Sequence, residues 1–310
     1  MAAGRIDTHL HIVPPAYAEW LIAKGMAAGG MPIPKWSAEQ ALEVMADNGV
    51  DAAILSISTP GVHLGDDAEA RRKAREVNED AADAVRKHPD RFGFYASLVL
   101  PDLEGSLAEA AYAFDVLKAD GIVLHCAMNN IYLGDPIWNP LMDELNRRKA
   151  VIFVHPSELT GPRAKGIPPF SADFLLDTTR AAISMAKNGL LEQFPDLKII
   201  LSHGGGFVPY AAERIARICS PSGEDYAAGV KRLQQFYFDT ALASSRFALP
   251  SLLAFADPAR MTFGTDWPYA TRDRAAHFTR LYNDFTLDGA QRRAIDRRNA
   301  EKLFPRFARN

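Results

Sequence analysis

The sequence predicts a (β/α)8 TIM barrel, a single domain over residues 1–310, with lid insertions after the first and fifth strands. Three observations carry that expectation. Short apolar, β-rich runs alternate with stretches of helical periodicity eight times. The residues best suited to ligate a metal fall at the carboxyl ends of those runs, where a barrel gathers its catalytic groups. No GxGxxG follows the first run, which disfavours the open doubly wound sheet that the same alternation would allow.

The elements follow in order. Residues 5–11 form the opening strand, and a Pro- and Gly-rich stretch, 13–36, reads as a mobile cover with a helical piece over 16–24. Ser37-Ala38-Glu39-Gln40 opens a helix as a capping box, and Gly49 stops it. Strands are expected over 51–58, 91–100, 121–126, 151–155, 197–202, 236–240 and 260–264. Helices are expected over 66–88, 105–118, from Asp135 with Pro136 at its first position, and over 171–188. Gly204-Gly205-Gly206 is read as opening a further helix to about residue 218, and a loop over 156–170 carries four prolines.

Composition narrows the function. Hydrophobic residues make up 48% and charged residues 24% of 310, as in a soluble globular protein. The net charge is -3, and the one dense cationic run, Arg71-Arg72-Lys73 with Arg75, is surrounded by acids, which excludes nucleic acid as a partner. Two cysteines, Cys126 and Cys219, cannot build a disulfide framework and point to a reducing compartment. Nothing resembles a signal peptide or a membrane span, so a cytoplasmic enzyme is expected.

Its chemistry lies at the strand ends. In an extended run His9 and His11 share one face with Asp7, and two imidazoles aimed at one point are half of a coordination sphere. A lone HxH pair is a weak signal. His155 ends the fifth strand, His203 follows the sixth and Asp266 the eighth, so one topology gathers all five. Imidazoles with a carboxylate suit Zn, Mn or Fe and disfavour Ca or Mg. The fourth strand, Gly121-Ile122-Val123-Leu124-His125, offers no carboxylate or lysine to bridge a second ion, so one divalent metal is expected, zinc first and manganese as the alternative.

The chain resembles the metal-dependent amidohydrolase superfamily, in its aminocarboxymuconate semialdehyde decarboxylase branch. The resemblance rests on Asp7-Thr8-His9-Leu10-His11, Phe153-Val154-His155-Pro156, Leu201-Ser202-His203-Gly204-Gly205-Gly206 and Gly264-Thr265-Asp266-Trp267-Pro268. The stretch Tyr132-Leu133-Gly134-Asp135-Pro136, with residues 141–155, is most similar to decarboxylases of salicylate-type acids, 6-methylsalicylate decarboxylase in particular. The resemblance implies non-oxidative release of CO2 from a small aromatic carboxylate. It makes His9, His11, His155 and Asp266 metal ligands and His203 a ligand or an acid/base. It also places Arg214, eleven residues after His203, in the neighbouring subunit's site, so a homodimer or higher homo-oligomer is implied. Ala41 stands where relatives acting on diacids carry arginine, which argues against a substrate with two carboxylates.

On this reading Asp266 is the proton donor and His203 its partner. Met26, Met31, Trp36 and Trp267 are candidate walls for an aromatic ring, and Ser58, Thr59, His63 and His125 are candidate mouth residues. Asp239 could fix a ligand histidine's tautomer. The same ligand set would serve a hydrolase of a lactone, ester or amide, or a hydratase of a carboxylated ring-cleavage product, because fold does not settle function. A metal-binding scaffold without turnover is the non-enzymatic alternative.

Overall fold

The computed structural model describes residues 4–159 and 164–309. Eight strands lie side by side in chain order: β1 (Arg5–His11), β2 (Val50–Ser56), β3 (Phe92–Ser97), β4 (Gly121–His125), β5 (Val151–His155), β6 (Lys198–Leu201), β7 (Tyr237–Asp239) and β8 (Met261–Thr262). Each neighbouring pair is parallel, which requires the helical crossovers that the sequence supplies between them. The sheet closes on itself just past β8. Asp7 bridges Phe263 in parallel, Thr8 N donates to Phe263 O at 2.9 Å, and Asp266 N donates to His9 O at 2.8 Å. The result is a (β/α)8 barrel.

Two apolar layers hold it. Ile6, Ile54, Tyr95, Val123, Phe153 and Ile200 fill the interior, and Phe304 and Phe307 from the C-terminal segment join them. A larger layer, including Leu10, Leu55, Phe92, Leu124 and Leu201, packs against the helices. Simple alternation along β1 would put Ile6 on the face opposite His9. Instead Ile6 belongs to the interior cluster with Phe153, and the His9 ring centroid is 4.8 Å from the same Phe153. The register of β1 on β2 shifts between Asp7 and Leu10, and that irregularity turns the histidines inward.

Side-chain caps set several of the helix starts. Ser37 accepts from Gln40 N ahead of Ala38–Asp47, Asp66 from Glu69 N ahead of Asp67–Lys87, and Asp102 from Gly105 N ahead of Leu103–Tyr112. The expected helix over 105–118 changes character midway: residues Ala113–Leu117 form a π-turn that ends at Lys118 with φ 60°. The stretch 13–36 is not all cover, since helix Pro15–Ala23 buries Tyr17 and Leu21 in the core. Of the loop over 156–170, residues 160–163 lie outside the described residues.

The three glycines after His203 do not open the helix directly. Their φ angles are +64°, +77° and +65°, so the chain turns sharply there, and the helix Val208–Cys219 begins with Pro209 in its first turn. At Gly206 a Cβ would lie 2.2 Å from Leu175 O. Gly206→Ala is expected to destabilise the protein by about 1–3 kcal/mol from backbone strain alone, with the clash adding to it. Urea unfolding of the variant beside the parent measures the loss.

Candidate metal centre

The carboxyl ends of the strands assemble one cluster. His9 and His11 close β1, His155 closes β5, Asp239 closes β7, and His203 and Asp266 occupy the turns after β6 and β8. One ligand atom from each of His9, His11, His155 and Asp266 lies within 4.8 Å of the others, and all four residues are buried. His203 stands beside them, with its Nε2 at 3.6 Å from Asp266 Oδ2.

The hydrogen bonds fix which nitrogen of each ring carries a lone pair. His9 Nδ1 is 2.7 Å from Asp239 Oδ2, His11 Nδ1 is 3.2 Å from Ser56 O, and His155 Nδ1 is 3.1 Å from Pro156 O. A carbonyl or carboxylate oxygen can only accept, so each Nδ1 donates and each neutral ring turns its Nε2 lone pair into the cluster. His9 Nε2 and His11 Nε2 then face one another at 3.1 Å, and His155 Nε2 is buried without a partner. Opposed lone pairs repel unless a cation lies between them.

The electrostatics ask for the same charge. Without a cation in the cluster the carboxylates draw a proton onto His9 in its place: burial opposes protonation, but Asp239 and Asp266 outweigh it and push the pKa up to about 10, and the neutral, ligating ring requires the ion. Burial, joined by the neighbouring imidazoles, holds His155 well below the usual histidine value. Burial also acts to raise Asp266, yet His11, His203 and His9 overcome it and keep the carboxylate well below its ordinary range. Three imidazole nitrogens and one ionised carboxylate suit one divalent metal.

A hydrogen-bonded frame surrounds the cluster. Asp239 Oδ2 holds His9, while its Oδ1 accepts from His203 N at 2.9 Å and Ala241 N at 3.0 Å. Asp7 Oδ2 accepts from Thr265 Oγ1 at 2.6 Å, and its Oδ1 accepts from His9 N at 2.9 Å. Both His203 and Asp266 adopt left-handed backbone, with φ 54° and 64°, a strain that these bonds sustain. Asp239→Asn removes the charge that orients His9 and is expected to weaken metal binding roughly 10- to 100-fold. Calorimetric titration of metal-free protein with zinc or manganese measures it, and an unchanged affinity would dismiss Asp239 from that role.

A cavity of about 470 Å³ opens over the cluster and is lined by His155, His203 and Asp266. Its other walls include Ala28 and Met31, Ser58 and Thr59, Phe170 and Phe174, and Tyr269 and Arg274. Ser58, Thr59 and Met31 therefore stand where the sequence suggested. Trp267 does not line this cavity. Its side chain packs into the layer beneath the helices, and its carbonyl accepts from His11 N at 2.7 Å. His125 is also off the wall: its ring sits against Gly61, its Nε2 has no partner, and burial pushes its pKa down to about 4. Met26 and Trp36 pack on the core, and His63 pairs with Asp67.

Arg214 is exposed on the helix Val208–Cys219, whose Pro209 and Tyr210 line the cavity. Several wall residues were not singled out from the sequence, Phe170, Phe174, Tyr269 and Arg274 among them. Phe170 and Phe174 are spaced i,i+4 on the helix Pro169–Lys187, a legible signal for one shared face. Tyr269 and Arg274 follow the Asp266 turn and carried no such mark.

Comparison with known proteins places these features. A family model described as Amidohydrolase matches residues 6–306. The chain is 36% identical to a 6-methylsalicylic acid decarboxylase, acuB, of Aspergillus aculeatus, over 98% of this chain and 97% of that protein. Among solved structures, an amidohydrolase II superposes with a TM-score of 0.91 at 30% identity, covering 97% of this chain and 99% of the other. A dihydroxybenzoic acid decarboxylase from Polaromonas, with bound manganese and the inhibitor 2-nitroresorcinol, shares the fold at a TM-score of 0.80 and 22% identity, over 97% of each chain.

Proposed function

The chain belongs to the amidohydrolase family, and on that premise we propose that it is a metal-dependent, non-oxidative decarboxylase of a small salicylate-type aromatic acid. The observation that carries the reading is the convergence of three Nε2 lone pairs and the Asp266 carboxylate beneath a cavity with phenylalanine walls. Similarity to the Aspergillus 6-methylsalicylic acid decarboxylase along nearly all of both chains supports it. His9, His11, His155 and Asp266 would hold the ion. Zinc suits three imidazoles, and the manganese in the Polaromonas relative makes that ion the alternative. When bound, the ion supplies a Lewis acid that orients and polarises an ortho-hydroxy carboxylate.

The protein's own residues do the rest. Phe170 and Phe174 offer apolar faces to the ring, and the cluster side chains beneath the cavity are buried. In the reaction the ring–carboxyl bond breaks, its electron pair stays on the ring carbon, CO2 leaves, and one proton takes its place. Asp266, ionised at rest, would take up that proton and deliver it to the ring as the donor, with His203, whose Nε2 lies 3.6 Å from Asp266 Oδ2, as its partner. Arg214 has no hydrogen bond or ion pair with any described residue and shares its exposed helix face with Tyr210 and Ile218. This supports a homo-oligomer in which Arg214 serves the neighbouring site. Two buried free cysteines accord with a reducing, cytoplasmic setting, and no helix among the described residues is long and apolar enough to cross a membrane.

A panel of 2-hydroxybenzoates, followed by ultraviolet absorbance and evolved CO2, tests the activity. Release of one CO2 per acid consumed is the expected result. Acid release from lactones, esters or amides without CO2 would replace decarboxylation with hydrolysis, and substrate loss with neither would indicate a hydratase.

A further inference from the structure

Among the described residues that line the cavity, Arg274 is the only arginine or lysine. It projects from the helix Arg272–Asp284 that follows the Asp266 turn, and it is half-buried. Arg272, two positions earlier, is bonded to Asp47 at 2.6 Å and to Glu43 at 3.2 Å. Arg274, in contrast, makes no hydrogen bond or ion pair with any described residue. Its guanidinium carbon lies over the Phe170 ring, 5.3 Å from the ring centroid. Such stacking orients the fork without neutralising it.

Among the described residues Asp266 is the one carboxylate on the cavity wall, and it is committed to His9, His11 and His203. An anion that answers Arg274 must therefore arrive with the ligand. A guanidinium presents paired donors that match a carboxylate, and the ring beside it suits an aromatic one.

We propose that Arg274 is the carboxylate-recognising residue of this cavity, selecting an anionic aromatic acid over its neutral counterpart within a single subunit. The inference deepens the decarboxylase reading and rests on it for the identity of the acid. The step it governs is binding, so it can be tested without turnover. The probe is a pair with one ring and different charge: benzoate and benzamide, titrated by calorimetry into the metal-loaded protein.

Wild type is expected to favour benzoate. In Arg274→Gln the benzoate affinity is expected to fall roughly tenfold or more, as for loss of a charge-assisted hydrogen bond, while benzamide affinity stays within about twofold. Arg274→Lys keeps the charge but not the fork and should retain part of the preference, so it also serves should the glutamine variant fail to fold. An unchanged benzoate-to-benzamide ratio in the folded variants overturns the proposal. The hydroxybenzoate panel fails separately. Arg274-dependent benzoate binding without CO2 release from any acid removes the decarboxylase and leaves the anion site. CO2 release with Arg274-independent binding does the reverse.

Discussion

Asp266→Asn should retain about one metal per chain and lose at least roughly 100-fold in turnover, the scale set by losing a positioned acid. The amide is nearly isosteric and can still approach His11 Nε2 and His9 Nε2, which lie 3.1 and 3.3 Å from Asp266 Oδ1. It cannot take up a proton and release it to the ring beside His203, whose Nε2 lies 3.6 Å from Asp266 Oδ2. Metal content by elemental analysis and CO2 release on the same preparation separate the two functions of this side chain. Near-normal release from the variant would take Asp266 out of the chemistry. Loss of both metal and turnover would limit it to ligation.

Removing the ion by chelation is expected to abolish CO2 release and to lower thermal stability, and returning zinc or manganese should reverse both. The second effect follows from linkage. A ligand that binds the folded state alone stabilises it by about 2.7 kcal/mol at a free concentration 100 times its Kd, which for a chain of this size is a shift of several degrees. The buried, partnerless His155 Nε2 and the opposed His9 and His11 nitrogens are what the ion relieves. Melting curves with and without chelator measure the shift. An identical melting temperature together with full activity would end the case for a resident metal.

The barrel and its ligand cluster were legible because both are written in local patterns. Alternating runs mark the strands, and a histidine at the end of each of three runs needs no knowledge of its neighbours. The inward turn of His9 was harder to read. Strict alternation places Ile6 opposite it, whereas the irregular register of β1 brings both to Phe153. Trp267 illustrates a further limit. It adjoins Asp266 in sequence, but the left-handed backbone at Asp266 sends the next side chain into the layer beneath the helices. Tyr269 and Arg274 reach the wall by that same turn, and no periodicity announces a turn. Likewise, three consecutive glycines read as freedom to begin a helix, while the structure uses them for a left-handed bend.

The seam of the barrel has a consequence for biosynthesis. The backbone that joins Asp266 to His9, and the side-chain approach of His11 to Asp266 across 255 positions, belong to the same closure. A ribosome-bound chain that has emerged only through the seventh strand owns His9, His11 and His155 but neither the last wall nor the Asp266 carboxylate. Capture of the ion thus waits for the final portion of the polypeptide, and any fragment released earlier leaves the ribosome without a completed centre.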